Sequence, residues 1–279
     1  MLYPTPYIVD PQSNYVHTQT IILLHGRGST AEQFAGDLFA LKTSSPALNL
    51  PSHFPSVRWV FPDAGQMWCT AFKENRSAWF DTFSLTDLSK RQDLQVAGLR
   101  SNIQSVHEVV EEEIDKLGGR SENIILGGFS QGSATALWSL FTGAVASRGS
   151  LGAFVGLSAW MPFINDAKAV VGIDRPEAAQ SQRIADLQSR FLDIVGLHGF
   201  VSTEAVQRCL SDMPVYLGHD TYDIPVSVTN CRELSVLLRA LGMRIDAREY
   251  VGAPREGHWV KEPEQLDDIV EFLKGKIGL

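Results

Sequence analysis

The chain has 279 residues, and its 44% hydrophobic and 20% charged content is typical of a globular protein rather than a disordered or fibrous one. With 24 basic and 32 acidic residues, its net charge of −8 argues against nucleic acid as a partner, because phosphate binding needs clustered lysine and arginine. No apolar run approaches the roughly 20 residues that cross a bilayer, and the first residues do not resemble a signal peptide. Because the three cysteines are also too scattered for a disulfide framework, we expect a cytoplasmic protein without stable membrane insertion.

Short apolar runs alternate with amphipathic helical patterns along the chain, with no internal repeat and no domain linker. The runs predict buried strands at residues 20–24, 57–61, 124–127, 153–157, 214–218 and 244–250. The patterns between them predict helices that begin near residues 29, 103, 134, 231 and 263. This alternation is typical of an α/β fold in which a mostly parallel central sheet carries helices on both faces, here as one domain spanning residues 1–279.

Polar residues help to define two of the predicted helices. Ser29 and Glu32 have the spacing of a capping box at the start of the first one. The helix at 103–117 combines an apolar face with a run of acidic residues, which we expect to form a solvated surface rather than a cation site. These residues, predicted to point mostly outward, are Glu108, Glu111, Glu112, Glu113 and Asp115.

The segment 163–213 is much longer than the single helix and short loops that usually connect two strands of an α/β sheet. Asp174 and Pro176 can start one helix in it, and Ser202 can cap a second. Since two helices with apolar faces must pack on something, we predict that the segment is a helical cap over a site at the carboxyl ends of the strands. A plain surface insertion is the alternative.

Residues 128–132 form a G-x-S-x-G motif between a predicted buried strand and a predicted helix. This is the setting of a nucleophile elbow, in which small residues permit a sharp turn that projects the serine hydroxyl above the sheet edge. The helix beginning at Gln131 directs free N–H groups and its positive dipole end to the same place. The motif therefore predicts Ser130 as a nucleophile, with a glycine-rich packing or phosphate-binding turn as the alternative.

A serine hydroxyl needs a base to take its proton, and in this strand–turn–helix arrangement the order along the chain is serine, acid, histidine. Three histidines follow Ser130. His198 lies in the irregular segment, and His219 directly follows a buried strand. His258 lies in a turn-rich loop between the last strand and the last helix, which favours it as the base; His219 is the alternative.

The acid is expected on a loop after an earlier strand, where its carboxylate would orient the imidazole of His258. Asp223 lies on such a loop, and Asp220, closer to the strand, is the alternative. Acyl transfer also needs hydrogen-bond donors where the oxyanion develops. We expect these donors to be the backbone N–H groups of Gln131 and, in the glycine-rich loop after the first strand, of Arg27.

Taken together, six motifs resemble the phospholipase/carboxylesterase family of α/β-hydrolases, whose best-known branch is the acyl-protein thioesterases. In chain order they are Leu24-His25-Gly26-x-Gly28, Trp79-Phe80-Asp81, Gly128-Phe129-Ser130-Gln131-Gly132, Leu157-Ser158-Ala159-Trp160-Met161-Pro162, Gly218-His219-x-x-x-Asp223 and Gly257-His258. The resemblance implies an α/β-hydrolase fold with Ser130, Asp223 and His258 as the catalytic triad, and it supports Arg27 and Gln131 as oxyanion donors. It also implies that no metal or organic cofactor takes part.

The sequence departs from the family pattern around the predicted site. Arg27 stands where the family more often has an apolar residue, Asp220 where it has glycine, and Trp259 where it has a small or polar residue. The segment 163–213 is also longer than its usual counterpart. An arginine near the mouth of the site would favour a substrate that carries a carboxylate or a phosphate.

Four large side chains near the ends of the motifs are candidates for lining an acyl pocket, with core or lid packing as the alternative for each. They are Trp79, Trp160, Met161 and Trp259.

We therefore expect a serine hydrolase that cleaves esters or thioesters of small molecules, lipids or acylated proteins through an acyl-enzyme on Ser130. One alternative is a small-molecule hydrolase or acyltransferase that releases a product from a carrier thioester or opens a lactone. The other is a binding protein that keeps the fold but has lost catalysis. The complete triad and both glycine-rich loops argue against the last, because binding alone requires neither.

Overall fold

The computed structural model describes residues 4–172 and 179–277. Its strands are β1 (Tyr7–Val9), β2 (Gln19–Leu24), β3 (Val57–Phe61), β4 (Gln66–Cys69), β5 (Glu74–Ser77), β6 (Ile124–Phe129), β7 (Ala153–Leu157), β8 (Pro214–Asp220) and β9 (Arg244–Tyr250). One sheet has the order β1-β3-β2-β6-β7-β8-β9, and β4 and β5 pair as a separate hairpin. Only β1 is antiparallel to its neighbour in the large sheet, so the ends of β2, β6 and β8 face the same edge.

The described helices cover both faces of this sheet. They are α1 (Ala31–Ala40), α2 (Leu50–His53), α3 (Gln95–Lys116), α4 (Gln131–Phe141), α5 (Ile164–Val171), α6 (Gln180–Val195), α7 (Thr203–Asp212), α8 (Val228–Ala240) and α9 (Glu264–Ile277). Apolar residues of α1, α2 and α9 form one core cluster, and those of α3 to α8 form the other. The predicted α/β architecture is thus confirmed. No helix among these has the length and apolarity needed to span a bilayer.

The strands predicted at 57–61 and 244–250 coincide with β3 and β9. The apolar patterns do not predict β1, β4 or β5. These strands have only three or four residues, most of them exposed or half-buried, so their apolar side chains, such as Tyr7, Ile8 and Val9 of β1, do not form a run long enough to predict a strand.

The predicted capping box at the first helix is wrong in its register. Thr30, not Ser29, is the N-cap of α1, and its side-chain oxygen accepts a hydrogen bond from the backbone N–H of Gln33 at 3.2 Å. Both residues are of the type that caps helices, and the geometry of the preceding turn selects the second.

The prediction that the acidic run on α3 points outward is wrong for Glu113, whose side chain is buried. Its carboxylate pairs with Arg58 of β3 at 3.0 Å and with Lys116 at 3.1 Å, and it accepts a hydrogen bond from the Thr20 hydroxyl at 3.2 Å. A charged strand residue thus supplies the partner that makes burial of this carboxylate tolerable.

The described part of the segment 163–213 forms α5, α6 and α7. Helix α6 packs on α3 and α4, and α5 packs on α8. Ser202 caps α7 as predicted, whereas α5 was not expected. The predicted helix start at Asp174 and Pro176 lies outside the described residues. The interpretation of the segment as a cap stays a prediction, and the contacts above place its helices against the helical layer.

Candidate active site

Ser130 lies in a sharp turn between β6 and α4. Its backbone has φ 53° and ψ −118°, a conformation that L-residues rarely adopt, and its N–H donates to Leu157 O at 2.8 Å. The neighbouring glycines are needed for close approach: a Cβ on Gly132 would lie 2.2 Å from the carbonyl oxygen of Leu24. The elbow is therefore pressed against the end of β2, with the hydroxyl at the sheet edge.

The side chains of Ser130, His258 and Asp223 form a hydrogen-bonded chain. His258 Nε2 lies 2.9 Å from Ser130 Oγ, and its Nδ1 lies 2.7 Å from Asp223 Oδ2. Since the carboxylate only accepts, Nδ1 carries the proton and Nε2 is left to accept the proton of the serine hydroxyl. The imidazole remains partly accessible, with 16% of its side chain exposed, whereas the carboxylate is fully buried.

Asp223 is held in its ionised state by several donors. Oδ1 accepts from the backbone N–H of Val226 at 2.7 Å, and Oδ2 faces both His258 and His219. Burial by itself would raise the pKa of Asp223, but the hydrogen bonds with His219 and His258 outweigh it and lower the pKa below its usual value. An ionised carboxylate is what is needed to orient and stabilise the imidazolium of His258.

The two other histidines considered from the sequence do not contact Ser130. His198 is exposed in the loop after α6. His219 is buried behind Asp223: its Nε2 lies 2.8 Å from Val226 O and 3.2 Å from Asp223 Oδ2. The carboxylate of Asp223 thus lies between two imidazoles, of which only that of His258 reaches the serine.

Asp220, the rival candidate for the acid, has a different set of partners. Its Oδ1 accepts from Tyr222 N at 2.8 Å, and its Oδ2 accepts from Ala253 N at 2.7 Å. It therefore joins the loop after β8 to the loop after β9, which carries His258. This contact fixes the position of the two loops relative to one another.

The loop after β2 is braced by His25, which is fully buried. Ala64 N donates to its Nε2 at 3.1 Å, so the proton is on Nδ1, which donates to Gly26 O at 2.8 Å. Burial lowers the pKa of this imidazole, in keeping with its neutral role in the loop. The indole N–H of Trp79 donates to His25 O at 2.8 Å and holds the same loop from the other side.

Gln131 secures the elbow to the segment that follows the hairpin. Its Oε1 accepts from Trp79 N at 2.9 Å, and its Nε2 donates to Phe80 O at 2.7 Å and to Thr82 Oγ1 at 3.1 Å. Through these three hydrogen bonds the side-chain amide of Gln131 holds the elbow and residues 79–82 in place. The backbone N–H of this residue, in the first turn of α4, makes no intramolecular hydrogen bond within the described residues, and the same holds for Arg27 N.

Ser130 opens onto a cavity of about 230 Å³, lined among others by Arg27, Arg76, Thr82 and Trp160. A groove of about 350 Å³ adjoins it on the side of His258 and is lined by Trp259 and Arg255. Within residues 4–172 and 179–277, no three histidine, cysteine, aspartate or glutamate side chains are grouped so that they could hold a metal ion.

The four residues considered for an acyl pocket separate into two pairs. Trp160 lines the cavity and Trp259 lines the groove, whereas Trp79 and Met161 are buried and line neither. Sequence reasoning missed Arg76, which reaches the cavity from β5. A short exposed hairpin gives no signal of where it will pack, so no pattern points to this residue.

A family model described as Phospholipase/Carboxylesterase matches residues 5–171. The chain belongs to this family. Acyl-protein thioesterase 1 of Cryptococcus neoformans var. neoformans is 32% identical over 273 residues, which cover 92% of each chain. Acyl-protein thioesterase 1 of Schizosaccharomyces pombe is 32% identical over 136 residues, 48% of this chain and 54% of that protein.

Among solved structures, acyl-protein thioesterase 2 of Zea mays matches with a TM-score of 0.65 at 23% identity, over 99% of this chain and 100% of that one. The esterase PE8 matches with a TM-score of 0.64 at 20% identity, again over 99% of this chain and 100% of that one. These likenesses show the α/β-hydrolase fold. The family model and the Cryptococcus relative confirm the family that the sequence motifs resemble.

Proposed function

We propose that this protein hydrolyses carboxylic esters or thioesters through an acyl-enzyme on Ser130. The observation that carries the proposal is the hydrogen-bonded chain from Asp223 through His258 to Ser130 Oγ, with distances of 2.7 and 2.9 Å. Membership of the phospholipase/carboxylesterase family supports the reaction class. Acyl-protein thioesterases are relatives along almost the whole chain, which favours thioesters among the substrates.

In the first step, Ser130 Oγ attacks the carbonyl carbon of the substrate while His258 Nε2 takes the hydroxyl proton. The negative charge that develops on the carbonyl oxygen is met by the backbone N–H groups of Arg27 and Gln131, neither of which has another acceptor within the described residues. The ionised carboxylate of Asp223 stabilises the imidazolium. When the tetrahedral intermediate collapses, His258 gives the proton to the alcohol or thiol that leaves.

In the second step, water replaces the leaving group. His258 takes a proton from the water as its oxygen attacks the acyl carbon, and the same two N–H groups stabilise the second oxyanion. Collapse breaks the bond to Ser130 Oγ, which receives the proton back from His258. The products are a carboxylic acid and the free enzyme.

Covalent labelling by a fluorophosphonate followed by peptide mapping tests the assignment of the nucleophile. We expect the label on Ser130, and we expect Ser130→Ala to lower kcat for a short-chain p-nitrophenyl ester by about 10⁴-fold or more. Ser133→Ala is the matched control, because that serine lies one turn further along α4 with its hydroxyl buried and unpartnered among the described residues. Labelling that survives Ser130→Ala and is lost with Ser133→Ala would contradict the proposal.

We further propose that the protein acts in the cytoplasm. The scattered positions of Cys69, Cys209 and Cys231, all buried, support a reducing compartment. Fractionation of cells that express the tagged full chain tests this, and recovery mainly with secreted material would contradict it.

A further inference from the structure

The cavity beside Ser130 carries two guanidinium groups from different parts of the chain. Arg27 belongs to the loop after β2, and Arg76 belongs to β5 of the hairpin. Both lie on the ring of Phe72, with the guanidinium carbons 4.8 and 3.8 Å from its centre. The hairpin is fixed to the loop by a hydrogen bond from Gly28 N to Ser77 O at 2.7 Å. The two cations are therefore held together by local structure.

Arg27 has few partners for its charge. Its Nη1 donates to the carbonyl oxygen of Thr82 at 3.3 Å, and no carboxylate of the described residues forms an ion pair with it. The nearby carboxylate of Asp81 is already engaged by the backbone N–H and the hydroxyl of Thr70. Burial lowers the pKa of Arg27 and the charge of Arg76 lowers it further, against the opposing effects of Cys69 and Asp81. The guanidinium remains charged and keeps unused donors.

Arg76 is neutralised only in part. Its Nε pairs with Glu74 at 2.5 Å, but the two side chains are 40% and 54% exposed, so water and salt screen the pair. Within the described residues, its terminal N–H groups have no acceptor. Thr82 adds a hydroxyl to the same wall; it accepts from Gln131 Nε2 and so keeps its own proton for donation.

The cavity and the groove differ in charge. No aspartate or glutamate is among the described residues that line the cavity, which therefore holds two cations without an acidic side chain. The groove also has an arginine of its own, Arg255, but that side chain pairs with Asp37 at 2.7 Å, and both residues line the groove. Arg27 lines the groove as well, but Asp37 accompanies it there, whereas the cavity adds Arg76 and no acidic side chain among its described lining residues. The field that attracts an anion is thus stronger in the cavity.

The chemistry of the proposed function decides which part of a substrate meets these cations. Ser130 and Gln131 line the cavity but not the groove, and the acyl group stays bonded to Ser130 after the first step. The leaving group receives its proton from His258, which lines both, and departs through the groove beside Trp259. The acyl portion is therefore the part that lies next to Arg76, which lines only the cavity, and next to Arg27, which lines both the cavity and the groove.

We propose that Arg27 and Arg76 form a carboxylate-binding subsite in the acyl cavity, so that the preferred substrates are half-esters or half-thioesters of dicarboxylic acids. This inference rests on the proposed function. The acyl chain's terminal carboxylate accepts hydrogen bonds from the two guanidinium groups while its other end is attacked by Ser130. Arg27 and Arg76 are then specificity-determining residues.

Two esters of equal chain length test the subsite: monoethyl adipate, with a terminal carboxylate, and ethyl hexanoate, without one. At low salt we expect kcat/KM for monoethyl adipate to exceed that for ethyl hexanoate by about tenfold, as for a charge-assisted hydrogen bond. The ratio should fall as salt is added. Arg76→Gln should reduce the ratio to near one. Arg148→Gln is the control, since it removes the same charge from a side chain of similar exposure, 44%, that pairs with Glu111.

A hexanoate ester of glycolate, which carries its carboxylate on the leaving group, separates the two sides of the site. A preference for this ester over monoethyl adipate, reduced by Arg255→Gln, would overturn the placement in the acyl cavity. A ratio near one in the unaltered protein, or a high ratio that Arg76→Gln leaves unchanged, would overturn the subsite itself.

Binding gives a readout that does not depend on turnover. Ser130→Ala should bind monoethyl adipate in calorimetry about tenfold more tightly than the double variant Ser130→Ala/Arg76→Gln. Equal affinities would overturn the subsite even if neutral esters are hydrolysed normally. Failure of the unaltered protein to take the fluorophosphonate label or to hydrolyse any ester would instead refute the proposed function.

Discussion

The carboxyl edge of the sheet and the helices inserted after β7 differ in the contacts that hold them. At the edge, residues far apart in the chain meet through single polar contacts such as His258 Nε2 to Ser130 Oγ at 2.9 Å. In the inserted segment, α6 is held on α4 by stacked rings, with Phe191 and Trp138 parallel to within 9° and their centres 4.0 Å apart.

This difference indicates that the edge of the sheet serves the proposed reaction, whereas the inserted helices contribute mainly to stability. The edge contains backbone conformations that are rarely populated, at Ser130 and Ser158 with φ 53° and 45°, and buried carboxylates that depend on hydrogen bonds from neighbouring loops. The apolar contact of α6 on α4 requires no rare backbone conformation and no buried polar group. Changes to the side chains of the proposed triad at the edge should therefore alter turnover more than stability, and changes in the inserted helices should do the reverse.

After loss of the nucleophile itself, the largest effect on kcat is expected from removing the charge of Asp223. Asp223→Asn leaves the shape of the side chain but no longer favours the Nδ1–H tautomer of His258 or its cation, so kcat should fall by about 10³- to 10⁴-fold. Ester hydrolysis is measured alongside unfolding in urea, which should change far less.

Asp220 provides the matched control, because it is also a buried aspartate and lies only three residues earlier, at the end of β8. Asp220→Asn loses one of two accepted backbone hydrogen bonds, to Tyr222 N or Ala253 N, at a cost of about 1–2 kcal/mol of stability, and should keep turnover within about tenfold of the unaltered protein. If Asp220→Asn were the more damaging change for kcat, the assignment of the acid would be reversed.

The inserted helices should show the opposite behaviour. Phe191 is fully buried against Trp138 and Phe141, so Phe191→Ala should lower the free energy of unfolding by about 3–5 kcal/mol while kcat at low temperature changes little. Phe191→Leu keeps most of the volume and should lose less. Turnover that falls in proportion to stability at a temperature where both variants are folded would show that the two regions are coupled.

The residues at the edge could be predicted from the sequence because the loops that follow parallel strands meet at one edge. The G-x-S-x-G motif predicts Ser130, and order along the chain together with its loop position then favours His258. The sequence favours Asp223 over Asp220 as the acid but keeps Asp220 as the alternative, since Asp220 ends β8, Asp223 follows it by only three residues, and both are buried. Their spacing from β8 does not determine which carboxylate turns toward the imidazole.

Two other features could not be predicted, for different physical reasons. The amphipathic pattern of 163–213 indicates helices and shows which side of each helix is apolar. It does not show which surface that side packs against, so it leaves open whether α6 packs on α4 or over the site. Arg76 reaches the cavity because the hairpin docks on the loop after β2, and that contact is made by backbone atoms, from Gly28 N to Ser77 O. The pattern of side chains along the sequence does not predict a contact between backbone atoms.

A further effect concerns the pH dependence of stability at the edge, through His219. Burial by itself would lower the pKa of this imidazole, but the hydrogen bond with Asp223 and the interaction with Cys231 raise it to about 9. In the unfolded chain the pKa is about 6.5. The folded protein therefore binds this proton more tightly, so the resulting stabilisation is fully present below pH 6.5 and is lost as the pH rises through about 9.

Urea unfolding from about pH 6 to about pH 9.5 measures this loss as a difference between the unaltered protein and His219→Gln, which cancels other titrating groups. The stability advantage of the unaltered protein should shrink as pH rises. Phe191→Ala, which removes no titratable group, should keep the unaltered pH slope at a lower stability, because the contact it breaks involves no charge. A difference between the unaltered protein and His219→Gln that stays constant over this range would mean that the proton on His219 contributes nothing to holding Asp223, and that the carboxylate depends on His258 and Val226 N alone.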